Sequence, residues 1–139
     1  MPGYELWGAE ERKELQDVLD NGILMRYGFD GPRKGIWKSR ELEKEISETF
    51  GCQFAQLVSS GTAALTTALS ALGIGYGDEV IMPAFTFVAS FEAVISVGAI
   101  PVLVDVDDTL TLSPEAVQKA STGKTKCIMP VHMGGSKAD

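Results

Sequence analysis

Four short apolar runs, Phe54–Val58, Val80–Met82, Val102–Val106 and Cys127–Val131, recur from Phe54 onward and read as strands without polar alternation. A strand with one wet face alternates polar and apolar residues, whereas one covered on both faces does not. Such runs therefore point to a parallel sheet held between two layers of helices. Helical periodicity fills the gaps. Thr62–Leu72 sets Leu65, Ala68, Leu69 and Leu72 at i, i+3, i+4 and i+7, and Gly73 stops it. Phe87–Val97 is apolar on nearly every side, which predicts burial, and Gly98 ends it. Ser113-Pro114-Glu115 offers a cap, a first-turn proline and an early acid, opening a helix to about Ala120. The expected fold class is α/β in three layers, a mainly parallel sheet with helices on both faces, wound βαβαβαβ through right-handed crossovers.

Two acidic amphipathic helices precede this alternation. The first, near residues 9–20, puts Leu15, Val18 and Leu19 on one face. The second, near 40–50, gathers Leu42, Ile46 and Phe50, with Ser39 as its expected cap and Gly51 as its stop. Between them, Asn21–Lys38 is a long ordered loop in which Tyr27, Phe29, Ile36 and Trp37 require packing partners. The expected organisation is residues 1–51 as N-terminal helices and loop, and 52–139 as an α/β unit.

A net charge of −7 opposes non-specific binding to nucleic acid or anionic lipid. Arg26, Arg33, Lys34, Lys38 and Arg40 nonetheless cluster against Asp30 alone, which reads as a solvated loop, with a phosphate-binding role as the minor alternative. Val80–Val104 holds one charge, Glu92, but Pro83, Gly98 and Pro101 break it into pieces too short to span a membrane. Cys52 and Cys127 lack metal-ligand spacing and are expected to be reduced, packed thiols, and no metal site is anticipated. With Glu5, Glu10, Glu11 and Glu14 near the start and no apolar run there, no signal peptide is visible, and a cytoplasmic location is expected.

Two phosphate-loop look-alikes fail on context. Gly123-Lys124-Thr125 lacks the upstream glycine, since Gln118 stands there, and Gly73, Gly75 and Gly77 follow a helix rather than a strand. Ser59-Ser60-Gly61-Thr62 is better placed, between the Phe54–Val58 run and the Thr62–Leu72 helix. First-turn amides there lack intrahelical partners, the helix dipole favours an anion, and Gly61 permits close approach, with hydroxyls from Ser60 and Thr62. A plain N-cap is the other reading. The next such turn, Pro83-Ala84-Phe85-Thr86-Phe87, also lies at the carboxyl end of a run, where open α/β sheets place ligands. Phe85 is expected in the core, and Phe87 is expected to face a flat ring. His132, the only histidine, closes the fourth run and reads as structural or as bordering the pocket.

With these residues in view, the chain resembles the DegT/DnrJ/StrS sugar aminotransferases, within the fold-type-I pyridoxal-phosphate enzymes. The resemblance runs through Ser59-Ser60-Gly61-Thr62-Ala63-Ala64-Leu65, Gly77-Asp78-Glu79-Val80-Ile81, Pro83-Ala84-Phe85-Thr86-Phe87-Val88-Ala89 and Gly98-Ala99-Ile100-Pro101-Val102. It continues into Val104-Asp105-Val106 and Pro130-Val131-His132-Met133-Gly134-Gly135.

The resemblance implies pyridoxal 5'-phosphate as cofactor, with Gly61, Thr62 and Ala63 on its phosphate, Phe87 stacked on its ring and Ser60 beside the pocket. It further implies amino transfer from glutamate or glutamine to a keto-sugar, commonly nucleotide-linked, by a homodimer whose subunits share each active site. The Gly31–Lys38 segment is longer than the family's Gly-Pro turn. In the family the Schiff-base lysine and the aspartate on the ring nitrogen come later than residue 139. None of the eight lysines here holds that position, and Asp139 matches the start of the next helix. The chain is therefore expected to be an N-terminal fragment of the large domain, without catalytic residues of its own. Two rivals stand beside amino transfer: a dehydratase of the same family, with histidine in place of the lysine, and a non-catalytic short protein acting as a dimeric binding or structural module.

Overall fold

A computed structural model describes residues 3–138, so the place of Asp139 falls outside the described residues. The chain divides into two compact units, Met1–Leu57 and Val58–Asp139.

In the first unit, α1 (Ala9–Asn21) and α3 (Lys38–Phe50) occupy the two amphipathic stretches. Gly51 ends α3 at φ 65, a left-handed backbone that suits a residue without Cβ. Ser39 does not cap α3. The helix begins at Lys38, two residues before the expected start, and the Glu41 carboxylate reaches back to accept the Trp37 N–H at 3.1 Å. The loop between α1 and α3 contains a single helical turn, α2 (Asp30–Arg33). Its aromatics are not uniformly covered, since Ile36 and Trp37 are half-buried while Tyr27 and Phe29 are exposed. Leu15, Leu19, Leu42 and Phe50 are also exposed.

The second unit is the α/β body, with order α4 (Gly61–Ala71), β1 (Glu79–Pro83), α5 (Val88–Ser96), β2 (Ile100–Val104), α6 (Pro114–Ala120) and β3 (Thr125–Ile128). The strands form one parallel sheet in the order β2-β1-β3. Val80 and Met82 point to one face and join Leu69, Ile74, Ala93, Val94 and Ala99 from the α4 and α5 side. Ile81 points to the other, with Val104 and Leu112, against Ala116 and Val117 of α6. Helices thus cover both faces, and the three-layer α/β arrangement follows from the period-2 geometry of one central strand. Pro101 sits within β2, an edge strand, where its missing N–H breaks no ladder. Ser113 caps α6 by accepting the Ala116 N–H at 3.3 Å.

The Phe54–Val58 run is not a strand. Phe54 is 81 % exposed, and the Leu57 N–H donates at 2.7 Å to the Glu43 carboxylate instead of to a ladder. A strand exists only against a neighbour, and this run pairs with none of the three strands. In α5, Ala89, Ser90, Ala93 and Val94 are buried, while Val88 and Ile95 face outward. Among the described residues no helix is long and apolar enough to cross a membrane. Both cysteines are free thiols. Cys52 is exposed rather than packed, and Cys127 is half-buried, its pKa raised by desolvation.

Candidate functional site

Two helix N-termini meet the carboxyl edge of the sheet. The chain leaves the last residue of α4, turns through Leu72–Asp78 and enters β1, so α4 runs antiparallel to that strand. Directly after Pro83 the chain turns into α5, which packs against α4. The Ser60–Thr62 turn and Phe87 therefore lie on the same edge of the sheet.

At that edge the first turn of α4 is only partly satisfied. Ser60 is extended, at φ −162 and ψ 165, and its Oγ accepts the Ala63 N–H at 3.1 Å. Its carbonyl accepts the Ala64 N–H at 3.0 Å. The amides of Gly61 and Thr62 have no acceptor among the described residues. A Cβ built on Gly61 would meet nothing within 4 Å, so the space beside its Cα is open. The helix dipole adds partial positive charge at the same point. Donors, room and field together suit an anion.

Phe87 is the N-cap residue of α5 and is 76 % exposed. Its carbonyl accepts the Ser90 N–H at 3.0 Å, which fixes the backbone that carries the ring. The buried Ser90 hydroxyl pairs with Thr86 Oγ1 at 2.9 Å across the same turn. Sequence reading passed over this Thr86–Ser90 pair, although two hydroxyl residues four apart at a helix start are a visible signal for it. Phe85, expected in the core, is 50 % exposed. The turn is short, and its core-facing places go to Pro83, Ala89 and Ser90.

His132 is exposed, and its Nδ1 accepts the Ala138 N–H at 3.0 Å, pinning the turn that contains Gly134 and Gly135. The Gly73–Gly77 segment joins α4 to β1, the context in which no nucleotide fingerprint works. Among the described residues no three His, Cys, Asp or Glu side chains gather where they would hold a metal.

The comparisons with known proteins concern the fold and the family. DesV from S. venezuelae, solved in complex with a ketimine intermediate, superposes with a TM-score of 0.86 at 39% identity, over 98% of this chain and 34% of that one. A 3-amino-5-hydroxybenzoic acid synthase gives 0.88 at 42%, over 99% of this chain and 34% of that one. NtdA from Bacillus subtilis, with bound cofactor PMP, gives 0.75 at 34%, over 91% of this chain and 29% of that one. The chain thus spans about a third of the length of these structures. The family model described as the DegT/DnrJ/EryC1/StrS aminotransferase family matches residues 6–139, and the chain belongs to that family.

Proposed function

We propose that this chain forms the phosphate-and-ring half of a pyridoxal-phosphate site in an enzyme that passes an amino group from glutamate or glutamine to a keto-sugar, commonly a nucleotide-linked one. The observation that carries the reading is the first turn of α4, with the Gly61 and Thr62 amides uncommitted and no neighbour where a Gly61 Cβ would stand. Those residues fit a phosphate dianion, and membership of the family supplies its identity. When bound, the cofactor supplies an electron-withdrawing ring through which the amino group is relayed.

The chain's own residues bind and orient. Gly61 and Thr62 donate backbone N–H bonds to the phosphate, and the Ser60 and Thr62 hydroxyls add two more donors. The Ala63 amide is held by Ser60 Oγ and reaches the phosphate only by giving up that bond. Phe87, exposed on a turn braced by Thr86 and Ser90, lies against the cofactor ring and keeps water from one face of it. No catalytic role is assigned within residues 3–138. We place the protein in the cytoplasm as a homodimer, a reading supported by family membership and by the exposed leucines of α1 and α3, which offer apolar surface to a second copy.

The test is cofactor binding and then label transfer. Pyridoxamine phosphate should bind saturably to the chain, and Gly61→Val should abolish this without loss of helical signal. An enzyme that joins this half-site to a Schiff-base lysine should then carry 15N from glutamate or glutamine onto a nucleotide-linked keto-sugar. Cofactor binding with no label in any sugar product would sink the amino-transfer reading.

A further inference from the structure

The fold of residues 1–57 sorts the five clustered cations into two groups. Arg26 is paired with Glu43, and Lys38 is held by Glu14 and by Asp17 at 3.2 Å. Among the described residues Arg33, Lys34 and Arg40 have no carboxylate within ion-pair distance, Asp30 included. Two of these three converge on one aromatic ring. The guanidinium carbon of Arg33 lies 4.1 Å from the Trp37 ring centroid, and that of Arg40 lies 3.7 Å from it.

Arg33 is the unusual member, being only 5% exposed. The sequence reading of a solvated loop fails here. In place of a carboxylate it is held by carbonyl dipoles: Nε donates to Gly28 O at 2.9 Å, and Nη2 donates to Met25 O. Its own carbonyl accepts the Asn21 Nδ2 at 2.9 Å, which ties the turn to the end of α1. A cation taken out of water without a counter-ion carries a large desolvation penalty. Two carbonyls and one indole face offset part of it, and a second guanidinium on the same indole works against them. The remaining nitrogen, Nη1, has no acceptor among the described residues and is not fully sealed from solvent. The guanidinium is thus locked in orientation before any ligand arrives, with one edge free, an arrangement that lowers the ordering cost of binding.

We propose that Arg33 and Arg40, stacked on Trp37, together with Lys34 next to Arg33 in the chain, form a binding site for a multiply charged phosphate group, a phosphomonoester or a diphosphate carried by a small molecule. Three cations, none within ion-pair distance of a carboxylate among the described residues, match a ligand with at least two negative charges, which a carboxylate lacks and a phosphate has. The net charge of −7 on the whole chain disfavours the long phosphate runs of nucleic acid and anionic membrane surfaces, and leaves a compact anion as the fitting ligand. The site lies entirely within Met1–Leu57 and does not rest on the amino-transfer reading.

Inorganic pyrophosphate is the probe, titrated into the 139-residue chain in a Gly61→Val background so that the α4 turn cannot compete. Trp37 fluorescence follows binding, with Trp7→Phe removing the other indole, and phosphorus resonance broadening provides a second readout. Saturable binding that weakens with added salt is expected, and Arg40→Gln and Lys34→Gln should each weaken it about tenfold. Both side chains belong to exposed residues, so neither variant threatens folding. Arg33→Lys keeps the charge, loses the fork, and should also weaken binding, while Lys44→Gln on the exposed side of α3 should not. Repeating the titration with orthophosphate and a nucleoside diphosphate separates the sources. A diphosphate that binds no tighter than pyrophosphate means that the phosphates alone are read. Absence of saturation by about 10 mM pyrophosphate, or affinity unchanged in both Arg40→Gln and Lys34→Gln, overturns the proposal.

Discussion

Ser60 closes the first turn of α4 onto Ala63, its Oγ accepting the Ala63 N–H at 3.1 Å, and so leaves Gly61 and Thr62 as the uncommitted donors of that turn. One hydroxyl sets both the stability of the helix start and which amides face outward. Ser60→Ala should therefore destabilise the α/β unit by about 1 kcal/mol in urea denaturation, and Ser60→Gly by only a few tenths. Equal losses for the two variants would mean that the hydroxyl is not acting as a cap.

Gly61 separates binding from folding. Nothing lies within 4 Å of a Cβ at this position, and its φ is not positive, so Gly61→Ala is expected to leave the thermal midpoint unchanged or slightly raised. The same methyl occupies the space proposed for a phosphate, so pyridoxamine phosphate affinity should fall at least tenfold. A fall in both quantities together would show that the glycine is structural.

Phe87 is open to a comparable dissection. With its ring 76 % exposed, Phe87→Ala should change stability by no more than about 0.5 kcal/mol. Cofactor affinity should drop, and Phe87→Tyr should restore it, since either ring offers a flat face. Retained affinity in Phe87→Ala would remove the stacking role.

Glu43 makes the first unit sensitive to acid. Its carboxylate accepts the Leu57 N–H at 2.7 Å and pairs with Arg26, and these contacts hold its pKa below the usual glutamate value. Because the folded pKa lies below the unfolded one, the stabilisation is complete above about pH 4.3 and is lost as pH falls through the folded pKa. In an amide titration, the Leu57 N–H resonance should shift in that acid range, and in Glu43→Gln it should stay flat. A Leu57 shift centred at or above pH 4.3 would contradict the assignment.

The sheet core should respond on a larger scale. Met82 is fully buried on the α4 and α5 face, and Met82→Ala is expected to cost about 2–5 kcal/mol. Tyr76, 98 % exposed on the α4–β1 connection, should tolerate alanine within about 0.5 kcal/mol. Denaturant midpoints of the two variants check the contrast.

Features decided by a few neighbouring residues could be read from sequence. Ser113 before Pro114 marks the start of α6, Gly51 marks the end of α3, and Ser60-Gly61-Thr62 marks the turn that opens α4. What escaped was decided at a distance. Phe54–Val58 has the composition of a strand, yet the Leu57 amide is taken by the Glu43 carboxylate, 14 residues back, rather than by a ladder. Ser39 is a good cap by type, but the reach of Glu41 back to the Trp37 amide started α3 earlier. Arg33 counted as one of five solvated charges because its two carbonyl partners, Gly28 and Met25, depend on the path of a loop that no short pattern specifies.

The strand order also fixes a sequence of events during synthesis. β1 is the middle of the sheet but the first of the three strands to leave the ribosome, and its partner β3 begins roughly forty residues after β1 ends. At about 5–20 residues per second, Val80, Ile81 and Met82 wait on the order of 2–8 s before their second neighbour exists. For that interval the most water-averse segment of the body depends on α4, already made, and on α5 as it emerges. A nascent chain paused before Thr125 would be the form most in need of a chaperone.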